Sequence, residues 1–251
     1  MLVSESHKKQ FHDICDEVIS GIRIENGVGT LQEKTIHAVL KNFYEPDSSK
    51  QEQKVAGFVA DIFTGQEIIE IQTRQFDRMR DKLQAFLPIC PVTIVYPMTA
   101  KKILVWIDPE TGEEVERRKS PLKASIYDIF EELYKIKSFL PDENLRIKMV
   151  FLELEELKLL DGYGKDKKKR ASKHDRVPLK LVNEMGMECK EDYLQFVPFD
   201  LLEAEFTSKE FAKEAKIHPR VAGTVLHVLH YMGIVERIGK QGNAFVYRVS
   251  I

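Results

Sequence analysis

Residues 58 to 72, FVADIFTGQEIIEIQ, restrict the fold more than any other stretch. Phe58, Val59 and Ile62 read as one strand and Ile68, Ile69 and Ile71 as the next, with Thr64-Gly65 as the turn between them. Each run carries a polar residue that a strand buried on both faces would lack: Asp61 near the end of the first, Glu70 and Gln72 on the second. Strand alternation puts Glu70 and Gln72 on one face. Carboxylates brought together on a sheet face repel unless a cation lies between them. Asp61 and Glu70 are therefore candidates to bind a hard divalent ion such as Mg²⁺ through oxygen. A solvated polar face on an antiparallel hairpin explains the same residues without an ion.

The flanks turn this hairpin into a layered α/β arrangement. Apolar spacing predicts a helix over 8–24 and another from about Thr30 to Tyr44, stopped by Pro46. Glu33 and His37 share a face of the second helix, which could bring Glu33 toward the carboxylates. A third helix is expected over Gln75–Phe86. Beyond it Val92–Tyr96 is almost wholly apolar and bounded by prolines, as in an interior strand. A helix between the two strands calls for a parallel crossover. Further strands are expected at 103–107, 113–118 and 145–154, with a helix over 122–140. Residues 161–176 read as a basic surface loop or a phosphate-contacting arm.

Composition narrows the class. No apolar run in the 251 residues approaches bilayer length. The three cysteines are far apart and offer neither CxxC spacing nor a disulfide framework, so the expected setting is a reducing cytoplasm. From Phe206 onward seven basic residues face three acidic ones, whereas the preceding residues are net acidic. A basic tail on an acidic body suggests separate parts with separate tasks.

That tail has an ordered pattern. Thr207 or Ser208 caps a short helix, with Glu210 as capping-box partner. Pro219 opens a second helix that Gly233 ends, and two short strands flank Gly239–Asn243. The stretch FTSKEFAKEAKIHPRVAGTVLHVLHYMGIVERIGKQGNAFVYRV resembles a winged helix-turn-helix. The resemblance implies DNA contacts from Lys209, from His218, Arg220 and Thr224 at the start of the second helix, and from Lys240 and Gln241 at the wing tip. Winged helices also serve as protein–protein modules. His227 and His230 fall among apolar positions and read as core or interface residues rather than metal ligands.

The order helix, strand, strand, strand, helix, strand around Ala60-Asp61 and Glu70-Ile71-Gln72 resembles the αβββαβ core of the PD-(D/E)XK, or restriction-endonuclease-like, nuclease superfamily. This implies an α/β fold with a mixed central sheet over about residues 1–180, followed by a winged-helix domain over 190–251. It also implies Mg²⁺ or Mn²⁺ held by Asp61, Glu70 and Glu33, with Asp61, Glu70, Gln72 and Glu33 as catalytic residues. Gln72 stands where that family usually has lysine, which leaves a charge missing. The implied function is metal-dependent cleavage of DNA, and cutting two strands would suit a homodimer. The rival readings are a DNA-binding regulator whose nuclease-like core no longer cuts, and a protein–protein interaction module.

Overall fold

In the computed structural model, which describes residues 3–26, 34–121, 124–162 and 171–250, two helices come first, α1 (Glu5–Asn26) and α2 (Thr35–Tyr44). A meander of β1 (Gln51–Val55), β2 (Phe58–Phe63) and β3 (Ile68–Ile71) follows. A 3-10 turn at Phe76–Met79 leads into α3 (Arg80–Phe86). Then come β4 (Val92–Ile107), β5 (Glu114–Lys119), α4 (Phe130–Lys135), β6 (Leu145–Leu159) and β7 (Ser172–Met187). The C-terminal part holds β8 (Glu205–Thr207), α5 (Ser208–Glu214), α6 (Pro219–Tyr231), β9 (Val235–Gln241) and β10 (Ala244–Val249).

The apolar run at 92–95 becomes the centre of a seven-stranded mixed sheet. Its order is β1-β2-β3-β4-β6-β7, with β5 pairing β4. Strands β3, β4 and β6 are mutually parallel, because α3 and α4 carry the chain back between them, and the other pairs are antiparallel. Strands β3 and β5 share one edge of β4 but meet it at opposite ends, residues 92–95 and 103–107. The last contacts across this edge are Gln72 N–H to Val95 O at 2.9 Å and Ser120 N–H to Lys102 O at 2.8 Å. Between them, among the described residues, no strand covers this edge of β4.

Both sheet faces are covered. On one, Phe11, Cys15, Ile36, Leu40 and Phe43 from α1 and α2 pack on Ile62, Ile69, Ile71 and Val95. On the other, Phe76, Leu83, Phe86 and Phe130 pack on Ile68, Ile94 and Ile147. Ile94 and Val95 thus alternate between two cores, which is why 92–95 has no polar face. The second core continues without a break into Phe206, Phe211, Val225 and Leu229. Tyr127, Phe130, Phe196 and Phe211 form a cluster of tilted and edge-on rings across the junction. Helix α6 lies against α4, and His227 sits at that contact. Its Nε2 is 2.8 Å from Lys137 Nζ, and burial, then the charge of Lys137, holds its pKa below the ordinary value. It is an interface residue, as its place among apolar positions suggested.

Several boundaries differ from the sequence reading. The runs 92–96 and 103–107 are one strand. Pro97 does not break it, because Pro97 directs its missing N–H toward the same edge as Val95, where β3 has ended. The expected helix over 122–140 is only a 3-10 turn at Ile126–Ile129 plus α4. The capping box of Ser125 and Asp128 starts it and Ile136 closes it, while residues 122–123 lie outside the described residues. The basic segment 161–176 is partly strand. β7 begins at Ser172 and carries charges on both faces, so no alternation marked it, and 163–170 lie outside the described residues. Helix α2 is described from Thr35, and Glu33 lies outside the described residues.

In the C-terminal part the Thr207–Glu210 capping box and Pro219 in the first turn of α6 are present as read. Strand β8 adds a third strand to the hairpin, giving the order β8-β10-β9.

Candidate functional site

The meander brings Asp61 and Glu70 together at the point where β3 ends. Register pairs Ile62 with Ile69, so Asp61 and Glu70 are the next residues across. The Asp61 N–H donates to Glu70 Oε1 at 3.3 Å. Asp61 Oδ2 accepts from the Ile71 N–H at 2.8 Å and lies 3.1 Å from His37 Nε2. Lys82, from α3, donates to Glu70 Oε2 at 2.8 Å. These four side chains line one cavity of about 580 Å³, with Gln72, Lys34, Arg74 and Arg78 also in its wall.

The two carboxylates are in different electrostatic states. Burial raises the Asp61 pKa, but the His37 hydrogen bond and charge, the Ile71 N–H and Lys82 together bring it below the ordinary value. Glu70 is pushed up to about 7 by burial and then by the charge of Asp61, against the pull of Lys82. The pair therefore holds a proton far more tightly than two isolated carboxylates would. A divalent cation between them would relieve that strain. Its donors here would be hard carboxylate oxygens, which suit Mg²⁺ or Mn²⁺. Among the described residues no group of three or more His, Cys, Asp or Glu side chains is arranged to hold a metal. An ion at Asp61 and Glu70 would complete its shell mainly with water, as Mg²⁺ commonly does.

Gln72 is in the cavity wall but is occupied elsewhere. Its Nε2 donates to the backbone oxygens of Arg74 at 2.6 Å and Gln75 at 3.3 Å. It shapes the turn into α3, where Gln75 has positive φ. The positive charge nearest Glu70 comes instead from Lys82. The signal for Lys82 was present in the sequence. Met79, Leu83 and Phe86 form the buried stripe of this segment, and Lys82 sits within that stripe, three residues from Met79 and four from Phe86. His37, which shares a helix face with Glu33 in the sequence reading, reaches Asp61, and Glu33 lies outside the described residues.

The residues implied for DNA contact lie apart from this cavity. Lys209, His218, Arg220, Lys240 and Gln241 are exposed and Thr224 is half-buried, and none lines the carboxylate cavity. His218 caps α6, its Nδ1 accepting from the Arg220 N–H at 3.2 Å. On the hairpin, Arg237 lies 4.4 Å and Lys240 5.0 Å from the ring centre of the half-exposed Phe245.

A family model described as "Domain of unknown function (DUF8091)" matches residues 34–188, more than half of the chain. The chain belongs to this family. The DUF8091 span contains His37, Asp61, Glu70 and Lys82 and stops before β8, so the C-terminal helix-and-hairpin part falls outside it. A protein of Treponema pallidum (strain Nichols) described as "Uncharacterized protein" is 28% identical over 223 residues, covering 88% of this chain and 87% of its own. That similarity runs beyond the DUF8091 span. No solved structure matches. Among the described residues, no helix is long and apolar enough to cross a membrane.

Proposed function

We propose that this DUF8091 protein is a nucleic-acid phosphodiesterase of the restriction-endonuclease-like type, dependent on Mg²⁺ or Mn²⁺, with a winged-helix DNA-binding part at its C-terminus. The observation that carries this reading is the convergence of Asp61, Glu70 and Lys82 on one cavity walled by Lys34, Arg74 and Arg78. The chain order α2, β1, β2, β3, α3, β4 and the parallel β3–β4 pair support the same reading.

Asp61 and Glu70 would hold the ion. Bound there, it would supply Lewis-acid polarisation of a phosphate and lower the pKa of water. The His37 contact and the Ile71 N–H keep Asp61 ionised and fixed. Lys82 supplies the charge that Gln72 cannot, toward Glu70 and toward a phosphate oxygen beside it. Lys34, Arg74 and Arg78 favour a polyanion over a neutral substrate. Glu33 remains a candidate third ligand. The reaction breaks a P–O bond, adds water across it and leaves a phosphate monoester and a hydroxyl.

The test is cleavage of supercoiled plasmid DNA with Mg²⁺ or Mn²⁺. Metal-dependent nicking or linearisation is expected, reduced roughly a hundredfold or more in Asp61→Asn and Glu70→Gln. No cleavage with either metal, or cleavage retained by both variants, would overturn the reading. The engagement of Gln72 with the Arg74 and Gln75 carbonyls favours one alternative, a DNA-binding protein that does not cut. It would bind DNA with steep salt dependence and cleave none.

A further inference from the structure

Past the end of β3, a second cavity of about 410 Å³ is lined by Thr99 and Lys102 of β4, Glu156 of β6 and the first residues of β7. Its wall includes Thr73, Thr99 and Asp175 together with five cations, Lys34, Arg74, Lys102, Lys173 and Arg176. Lys34, Thr73 and Arg74 also line the carboxylate cavity, so the two share a wall. We propose that this second cavity is a phosphate subsite, which takes a neighbouring backbone phosphate of the strand whose scissile phosphate lies at Asp61 and Glu70.

The charges are arranged for an anion. Five cations face two carboxylates, those of Glu156 and Asp175. Glu156 is shared by Lys102 at 3.1 Å, Lys173 at 3.6 Å and Lys158, outside the cavity wall, at 3.9 Å. Lys34 is held by the His174 carbonyl at 2.6 Å. Arg74 and Arg176 make no ion pair with a described carboxylate. Arg176 is mostly buried, and burial lowers its pKa from the ordinary value against the pull of Glu156 and Tyr96, with Arg74 adding a smaller push in the same direction as burial. Two guanidinium groups lining one cavity in which cations outnumber carboxylates suit an oxyanion with several acceptor oxygens.

Asp175 is turned into the fold: Oδ2 accepts from the Thr35 hydroxyl at 2.5 Å and Oδ1 is buried, with no hydrogen-bond partner among the described residues. A nucleic-acid strand carries a phosphate at every residue, so two anion sites on a common wall suit one strand better than a free phosphate.

The inference rests on the nucleic-acid reading, and its test separates the two. The affinity of a fluorescein-labelled duplex of about 20 base pairs is measured by anisotropy in EDTA over a range of salt. Lys173→Gln alters a side chain that is 76% exposed, so it leaves the core intact. Arg176→Gln is used after its thermal melt matches wild type. Each is expected to weaken binding roughly fivefold or more and to lower the salt slope by about 0.9. Unchanged affinity and slope in both cationic variants would overturn the subsite while leaving the phosphodiesterase reading standing. Absence of duplex binding by wild type at low salt would overturn both. Weakened binding in the variants, with no plasmid cleavage by wild type, would support the subsite and remove the phosphodiesterase. Competition by millimolar inorganic phosphate as strong as that by the duplex would identify a free-phosphate site and overturn the strand assignment.

Discussion

Replacing Glu70 by glutamine should stabilise this protein, and the gain should depend on pH in a defined way. Glu70 is almost fully buried, and its pKa rises from an ordinary 4.5 to about 7 on folding, through burial and the charge of Asp61. The folded state therefore binds this proton more tightly than the unfolded state. Wild-type stability should fall as the pH rises between those two values. At about 1.4 kcal/mol per pH unit the full loss is about 3 kcal/mol at pH 8. The pull of Lys82 is already contained in that value. Glutamine mimics the protonated acid and has no such loss. In thermal denaturation at pH 8, Glu70→Gln should melt higher than wild type by about 6–12 °C for a chain of this size. At pH 5 most of the wild-type side chain is already protonated when folded, so the advantage should shrink to about 1 kcal/mol. Asp61→Asn should behave in the opposite sense, because folding depresses that pKa and the ionised form is the stabilised one. The reasoning is refuted if Glu70→Gln melts at or below wild type at pH 8, or if its advantage is the same at pH 5 and pH 8.

Three further outcomes follow from the same geometry. Lys82→Gln removes the nearest positive charge from Glu70, so the Glu70 pKa should climb above about 7. The acid limb of any metal-dependent cleavage profile should then move to higher pH, with a fall in rate of roughly tenfold or more. Phe130→Ala empties a fully buried site packed edge-on against Phe196 at 4.9 Å. It should cost about 3–5 kcal/mol in urea unfolding, and because the core runs unbroken into Phe211 and Leu229 the transition should remain single. Lys240→Gln removes a cation that lies over Phe245 on the exposed hairpin, and should weaken duplex binding a few-fold with a smaller salt slope.

The sequence made the central elements legible because their signals are local. The turn at Thr64-Gly65, the apolar stretch at 92–95 and the Thr207–Glu210 cap each depend on a few neighbouring residues. Asp61 and Glu70 stood out because each interrupts a strand. The boundaries that failed depended on distant partners. The strand through Pro97 exists because β6 pairs with it along its whole length while β3 leaves its other edge. β7 is a strand because β6 supplies a partner from Ile147 to Leu159, although its own residues show no alternation.

The candidate site divides in the same way. The sequence by itself determined that two carboxylates lie near the ends of neighbouring strands, since nine residues and one tight turn bring them there. It also determined that glutamine, not lysine, stands two residues after Glu70. Only the tertiary structure decided where the missing charge comes from. Packing α3 on the sheet through Met79, Leu83 and Phe86 carries Lys82 to Glu70, and packing α2 on the opposite face carries His37 to Asp61. Those distances are set by helices laid across a sheet, and no spacing along the chain encodes them.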